Sequence, residues 1–171
     1  MGRSAKSTEF LKECMSDALI ALMKKTPPQK ITITQITNLA GVGRVSWFRN
    51  FESKEDAIAF KLRVLWYRYS NNRGIAMESR LYTPALAGEF FRFCEEIRDL
   101  YILIYKCGMQ SAVYEAFYQI VMSGSKETAD DCYRSRFISY GLFGMLNEWI
   151  GRECAQSHEE LTRQFLSIYD I

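Results

Sequence analysis

Three prolines, one histidine and no apolar run of the roughly 18 residues that a bilayer crossing needs are the first limits on this chain of 171 residues. Pro27, Pro28 and Pro84 are the only residues that forbid a helix outright, so long stretches between them are free to coil. The five cysteines, Cys14, Cys94, Cys107, Cys132 and Cys154, include no C-x-x-C pair. Their odd count and wide spacing fit reduced thiols, as small core side chains or a redox sensor, better than a disulfide framework. No cluster of metal-ligating residues appears, so no metal is expected. Glycine-rich phosphate loops and nucleophile elbows are absent. The adjacent carboxylates Glu95-Glu96 and Asp130-Asp131 point in different directions on a helix. His158 follows a loop in a capping pattern, where a solvated surface role is expected. Catalysis and a cofactor are therefore not expected. The first residues, Met1-Gly2-Arg3-Ser4-Ala5-Lys6, carry no apolar secretion signal, and the expected location is cytoplasmic with no membrane partner.

What is present is a folding composition, 48% hydrophobic and 14% aromatic, with no internal repeat or low-complexity segment. The net charge of +2 is uneven: residues 1–63 hold eleven Lys and Arg against six Asp and Glu, a net +5, leaving −3 for the rest. Helical periodicity dominates and no alternating strand stands out. A first helix is expected from near Ser7 to before Pro27, its stripe Leu11, Met15, Ala18 and Leu22 facing Ile36, Val42, Trp47 and Phe51. A fourth helix runs from Lys54 to about Met77, with Ile58, Leu62, Leu65 and Tyr69 on one side. Thr83-Pro84 starts the next. Breaks are expected near Arg98-Asp99, at Gly108 and at Ser123-Gly124-Ser125, before a long helix from about Lys126 to Ile150. Ser157-His158-Glu159-Glu160 is a capping box opening a last helix with Leu161, Phe165 and Ile168 on one stripe. The expected fold is all-α with about nine helices: a head, residues 1–53, and a larger body, residues 54–171, bridged by the fourth helix.

The densest signal lies in residues 32–58. Thr32 and Gln35 form a capping pair, Ala40-Gly41-Val42 stops a short helix, a second runs from about Arg44 to Asn50, and Ser53-Lys54-Glu55-Asp56 starts a third. Two short helices joined by a glycine turn are a helix-turn-helix, whose second helix can enter a DNA major groove. This segment resembles the DNA-binding domain of TetR-type transcriptional regulators. Thr32, Ile33, Ile36, Ala40, Gly41, Val42, Ser46, Phe51, Ser53, Lys54, Glu55 and Asp56 carry the likeness without a gap. Thr37, Gly43, Val45, Trp47, Phe48 and Asn50 depart from it; Phe48 lacks the hydroxyl that the family's tyrosine offers a phosphate.

Basic charge around such a motif is the expected footprint for a phosphate backbone. Arg44, Val45 and Ser46 are the expected base contacts: Arg44 to guanine, Val45 to a thymine methyl. Arg49 and Asn50 lie one turn on, for base or phosphate. Lys54 matches the family's phosphate-binding lysine beside free amides of a helix start. Thr34 and Gln35 are expected backbone contacts, and Arg3 and Lys6 a loose arm. Trp47 is expected in the core under the recognition helix. Phe48 is open between packing and a sugar-phosphate edge.

Residues 133–166 resemble the last two helices of the TetR regulators common in low-GC Gram-positive bacteria, through Phe137, Ile138, Gly141, Leu142, Gly144, Met145, Leu146, Trp149 and Ile150. The resemblance implies a homodimer built from those helices, with Phe137, Gly141, Gly144, Met145, Trp149, Leu161 and Phe165 at its interface, unless these residues bury into their own body. It also implies a repressor on a near-palindromic operator of double-stranded DNA, released by a small-molecule effector. Phe90, Phe93, Tyr101, Tyr105, Tyr114 and Phe117 either wall a pocket for an apolar or aromatic effector or are plain core. A helical adaptor that keeps the helix-turn-helix shape but binds protein is the alternative.

Overall fold

The computed structural model describes residues 2–75, 84–123 and 128–169, all of them helix or the turns between helices. In chain order the helices are α1 (Gly2–Met23), a 3-10 turn (Pro28–Lys30), α2 (Ile33–Leu39), α3 (Arg44–Asn50), α4 (Lys54–Asn72), α5 (Pro84–Glu96), α6 (Arg98–Lys106), α7 (Gln110–Met122), α8 (Ala129–Gly151) and α9 (His158–Tyr169). Helix α1 begins five residues before the expected Ser7, because Arg3, Ala5 and Lys6 are good helix formers with no breaker among them. The backbone of Arg3 and Lys6 is thus helical and not a loose arm. Helix α8 starts at Ala129, where the Thr128 hydroxyl accepts from the Asp131 amide at 3.2 Å. Helix α4 ends at Asn72, short of the expected Met77, because Gly74 turns the chain at φ +65° and the Ile75 amide donates back to Ser70 O at 2.9 Å. The cap at Thr83, the break at Gly124-Ser125 and the start at Lys126 lie outside the described residues.

Helix α4 is apolar on most of its circumference because it is covered from two sides. Ala57, Ile58, Ala59, Phe60, Leu62, Val64, Trp66 and Tyr69 are all buried. On one flank it packs on α1, where Met15, Ala18, Leu19 and Met23 form the buried stripe, Leu11 and Leu22 being only half-buried. The Ser16 hydroxyl donates to the Ala57 carbonyl at 2.9 Å, tying the two helices inside that contact. Around its edge Lys61 pairs with Asp17 at 2.6 Å and Glu13 at 3.6 Å, and Arg68 pairs with Glu13. On the other flank α4 packs on α7, which in turn packs on α8, while α5 packs on α9. Burial on two flanks matches the broad apolar surface of α4, while Glu55, Arg68, Asn71 and Asn72 keep the remaining side in water.

Helices α5 and α9 are also joined by the one histidine. His158 Nδ1 lies 2.8 Å from Glu95 Oε2 and its side chain is only 15% exposed. The expectation of a solvated surface residue is corrected: the box that starts α9 turns His158 inward, toward α5. The capping box itself forms, with Ser157 N donating to Glu160 Oε2 at 3.2 Å and Glu160 N to Ser157 Oγ at 3.4 Å.

The α8–α9 turn holds two non-glycine residues in the left-handed region, Glu153 at φ +58° and Cys154 at φ +56°. Cys154 N donates to Trp149 O at 2.8 Å, and Trp149 Nε1 donates to Gln156 O at the same distance, which holds the turn against that strain. Glu153 is exposed, so replacing it with glycine removes the conformational penalty without deleting packing. Glu153→Gly should raise the unfolding free energy by roughly 0.5–1 kcal/mol, the left-handed penalty less the added freedom of the unfolded chain. Urea melts of the two proteins check it.

Candidate nucleic-acid interface

The geometry of residues 32–54 follows from three local devices. Gln35 N donates to Thr32 Oγ1 at 3.2 Å and Thr32 N donates to Gln35 Oε1 at 2.8 Å, so a complete capping box starts α2. Gly41 then turns the chain at φ +68°, where a side chain would be strained although nothing crowds the position. Ser53 Oγ accepts from Asp56 N at 2.9 Å and starts α4, with Glu55 and Asp56 in the first turn where the helix dipole favours them.

Between these devices α3 is two-faced. Trp47 is 2% exposed and meets the Phe51 ring at 5.2 Å, so it is the core anchor expected of it. Phe51 in turn meets Phe60 of α4 at 5.8 Å, and the Lys12 ammonium of α1 sits 5.0 and 4.5 Å from the centres of those two rings. Partial desolvation of the Lys12 ammonium holds its pKa below the ordinary lysine value. The opposite face carries Arg44, Val45, Phe48 and Arg49, all exposed, Val45 by 62% and Phe48 by 61%. Of the two roles open to Phe48, packing under the helix is not the one the fold gives it.

The remaining expected contacts divide. Thr34 is exposed on α2. Gln35 Oε1 is engaged in the capping box, so its first role is to hold α2. Ser46 and Asn50 are half-buried, and Asn50 Nδ2 donates to Ser46 O at 2.7 Å, inside α3. Lys54 Nζ donates to Pro28 O at 2.6 Å, which ties α4 to the 3-10 turn and leaves the ammonium two further donors. Leu39, near the end of α2, is a further exposed apolar side chain, at 56%, that periodicity gives no reason to single out.

A cleft of about 1000 Å³ opens between the α3–α4 corner and α7. Glu52, Glu55, Asp56 and Glu115 line it against one cation, Arg49, so it repels phosphate, and the face suited to a polyanion is the outer side of α3.

The body favours one of two alternatives and corrects one expectation. Phe90, Phe93, Tyr101 and Phe117 are buried and in ring contact, which is the arrangement of the plain-core alternative. Phe90 meets Phe117 at 4.9 Å, Tyr101 meets Phe117 at 6.2 Å, and Trp66 of α4 meets Phe90 and Phe93 at 5.5 and 5.3 Å. Edge-to-face packing of this kind fills volume and favours the pairs beyond their burial. Tyr105 is half-buried, and Tyr114 faces outward, accepting from Arg136 at 2.8 Å and stacking on Tyr140 at 4.3 Å. Burial pushes the Cys94 thiol, 3.9 Å from the Tyr101 hydroxyl, up to about 12, so it is inert at neutral pH.

The correction concerns α8 and α9. Trp149 (1% exposed), Leu161 (4%) and Phe165 (0%) belong to their own subunit's core, Phe165 packing on Phe91 at 5.8 Å. A side chain so enclosed has no area left for a partner. Phe137 is 67% exposed, Gly144 is open, and Gly141 and Met145 are half-buried. Tyr133, Phe137, Tyr140 and Gly144, spaced by four, three and four residues, form one outward stripe on α8, and Ile168 is exposed on α9.

Among the described residues no group of three or more His, Cys, Asp and Glu is arranged to hold a metal ion, and no helix is long and apolar enough to cross a membrane. A helical body of this kind below a two-faced helix-turn-helix defines a class of transcriptional regulators. The family model for a TetR-type transcriptional regulator C-terminal region matches residues 86–170. No curated protein matches the sequence significantly. The chain belongs to the TetR family of transcriptional regulators.

Phe90→Ala separates solid core from pocket wall. Loss of an interlocked ring should lower the unfolding free energy by about 3–5 kcal/mol. A loss below about 1 kcal/mol in denaturant melts would mean that the ring borders open space.

Proposed function

We propose that the protein is a sequence-specific DNA-binding repressor that works as a homodimer. In this reading residues 1–53 are the DNA-binding head, residues 54–171 the dimerisation body, and α4 the bridge between them. The observation that carries it is the sidedness of α3: Trp47 anchors one face while Arg44, Val45, Phe48 and Arg49 stand outward on the other. Arg44 and Val45 reach base edges, with Ser46 behind them, and Arg49 and Asn50 follow one turn on. Lys54, Thr34 and Gln35 flank the groove on the phosphates.

The partner subunit takes the outward stripe of α8, where Gly141 and Gly144 admit a close helix and Phe137 and Met145 supply area. A two-fold pair spaces its recognition helices about one DNA turn, roughly 34 Å, and so reads a near-palindromic operator. Such a regulator acts in the cytoplasm, where its operator is accessible. An apolar or aromatic effector has to open the ring cluster around Phe90 and Phe117, and releases DNA only by binding one dimer geometry more tightly than the other.

Selection from a random duplex pool tests the reading. A palindromic consensus is expected. On that consensus Arg44→Ala should relax base preference, while Lys54→Ala should weaken every site alike and flatten the salt slope by about one unit. Unchanged binding by both variants at moderate salt would defeat this docking. For the body, Phe137→Asp should convert dimers to monomers at micromolar concentration in sedimentation, with helix content intact; a persistent dimer would move the interface elsewhere.

The exposed Leu39, Val45 and Phe48 also suit a protein partner, which keeps a helical adaptor as the second reading. Salt-dependent affinity for random duplex at low salt belongs to the regulator and not to the adaptor.

A further inference from the structure

We infer that α3 reads its half-site largely through the methyl groups of thymine, with Val45 and Phe48 as the specificity-determining side chains. This rests on the DNA-binding reading above and says what that face recognises.

Val45 and Phe48 are three residues apart on a helix, so they share one face, and both are more than half exposed. Neither packs under the helix, since Trp47 and Phe51 already fill that space. An exposed phenylalanine side by side with an exposed valine is a cost in water that only a partner with apolar groups offsets. In the major groove the single apolar group on any base edge is the C5-methyl of thymine. Phe48 carries no hydroxyl for a phosphate, so its ring has only van der Waals and stacking contacts to offer. The Arg44 guanidinium, 5.6 Å from the Phe48 ring centre, sets a cation against that ring, and Arg49 follows on the same exposed helix. Phe48 stands between Arg44 and the acidic cleft, so the apolar pair is flanked by cations on its outer side only, and that side matches a polyanion with methyl groups in its groove better than an apolar protein surface.

The polar side chains of α3 point the same way. The common adenine reader is an amide that donates and accepts at once. In Asn50 one of the two amide N–H donors goes to Ser46 O at 2.7 Å, which aims the amide back along the helix and leaves one donor and the oxygen. Hydrogen-bonded readout then falls chiefly to the two arginines, for guanine, and the remaining positions of the half-site are read by shape and methyl contact. The half-site should therefore place thymines opposite Val45 and Phe48.

Deoxyuridine tests this because it deletes the methyl and leaves base pairing intact. In the duplex recovered by selection, each thymine of one half-site is replaced singly by deoxyuridine, and binding is measured at fixed salt. At the thymines facing Val45 and Phe48 a loss of about 3–10-fold is expected, against no change elsewhere. Val45→Ala and Phe48→Ala, both at exposed positions and verified as folded by circular dichroism, should each erase the loss at one thymine. Tight binding with equal affinity for thymine and deoxyuridine at every position would overturn the methyl readout and leave the DNA-binding reading standing. Failure to bind any duplex at low salt would overturn both.

Discussion

The covering of α4 from two sides is the constraint on which the rest of the structure depends. Its first turns are buried by α1 through Ser16 and the Met15–Leu19 stripe, and its middle by α5 and α7 through Trp66. One helix thus contributes to both the packing around the turn motif and the aromatic packing of the body. A helix that were apolar on one stripe only would serve one of these and expose the other. The salt bridges of Lys61 and Arg68 with Glu13 and Asp17 lie along the margin of the α1 contact, and pairs with an exposed partner contribute little beside the burial they flank.

Helices of seven residues, as α2 and α3 are, have little stability of their own in water. What holds α3 is a chain of ring contacts, Trp47 to Phe51 to Phe60, closed by the Lys12 ammonium from α1. That chain leaves one face with nothing to bury it. The outer side of α3 is consequently set by the core beneath it: rotating the helix by one residue would lift Trp47 into solvent and drive Phe48 or Ser46 under. The cleft beside α7 sharpens the same polarity, since its carboxylates disfavour an anion there while Arg44 stands on the outer side.

Elements whose ends are marked by backbone chemistry were legible before any coordinates. Thr32 with Gln35, Ser53 with Asp56 and Ser157 with Glu160 each name a helix start because the pair satisfies specific orphan amides, and all three pairs are present. Gly41 and Gly108 mark turns for an equally local reason, their positive φ. What depends on a distant element was not legible. The stripe through Phe137 and Trp149 looks continuous in one dimension, yet the Trp149 indole reaches the α8–α9 turn and is enclosed, while Phe137 stays outside. Aromatic spacing in α5 to α7 is equally consistent with a wall and with a plug; the contacts that Trp66 of α4 makes with Phe90 and Phe93 come from outside that stretch and no spacing within it announces them. His158 faces Glu95 only because α5 and α9 are neighbours, which no local pattern states.

Release by an effector, as proposed, would have to act through α4. Helix α4 begins at the end of the turn motif, fixed to the 3-10 turn through Lys54 and Pro28, and two turns below the Phe60 contact it carries Trp66 into the ring cluster. Farther along, the Tyr69 hydroxyl donates to Glu89 at 2.6 Å and Arg73 pairs with Glu96 at 2.7 Å, so the far end of α4 is tied to α5. A rigid rod held at both ends passes displacement along its length, and close-packed interiors deform in discrete rearrangements and not by continuous strain. A ligand that inserted beside Trp66 would have to replace ring contacts already made, and its net effect on α4 would be the difference between the two packings. Large apolar area in the ligand is therefore less important than shape: only a molecule that restores the edge-to-face contacts it breaks leaves free energy over to move the head.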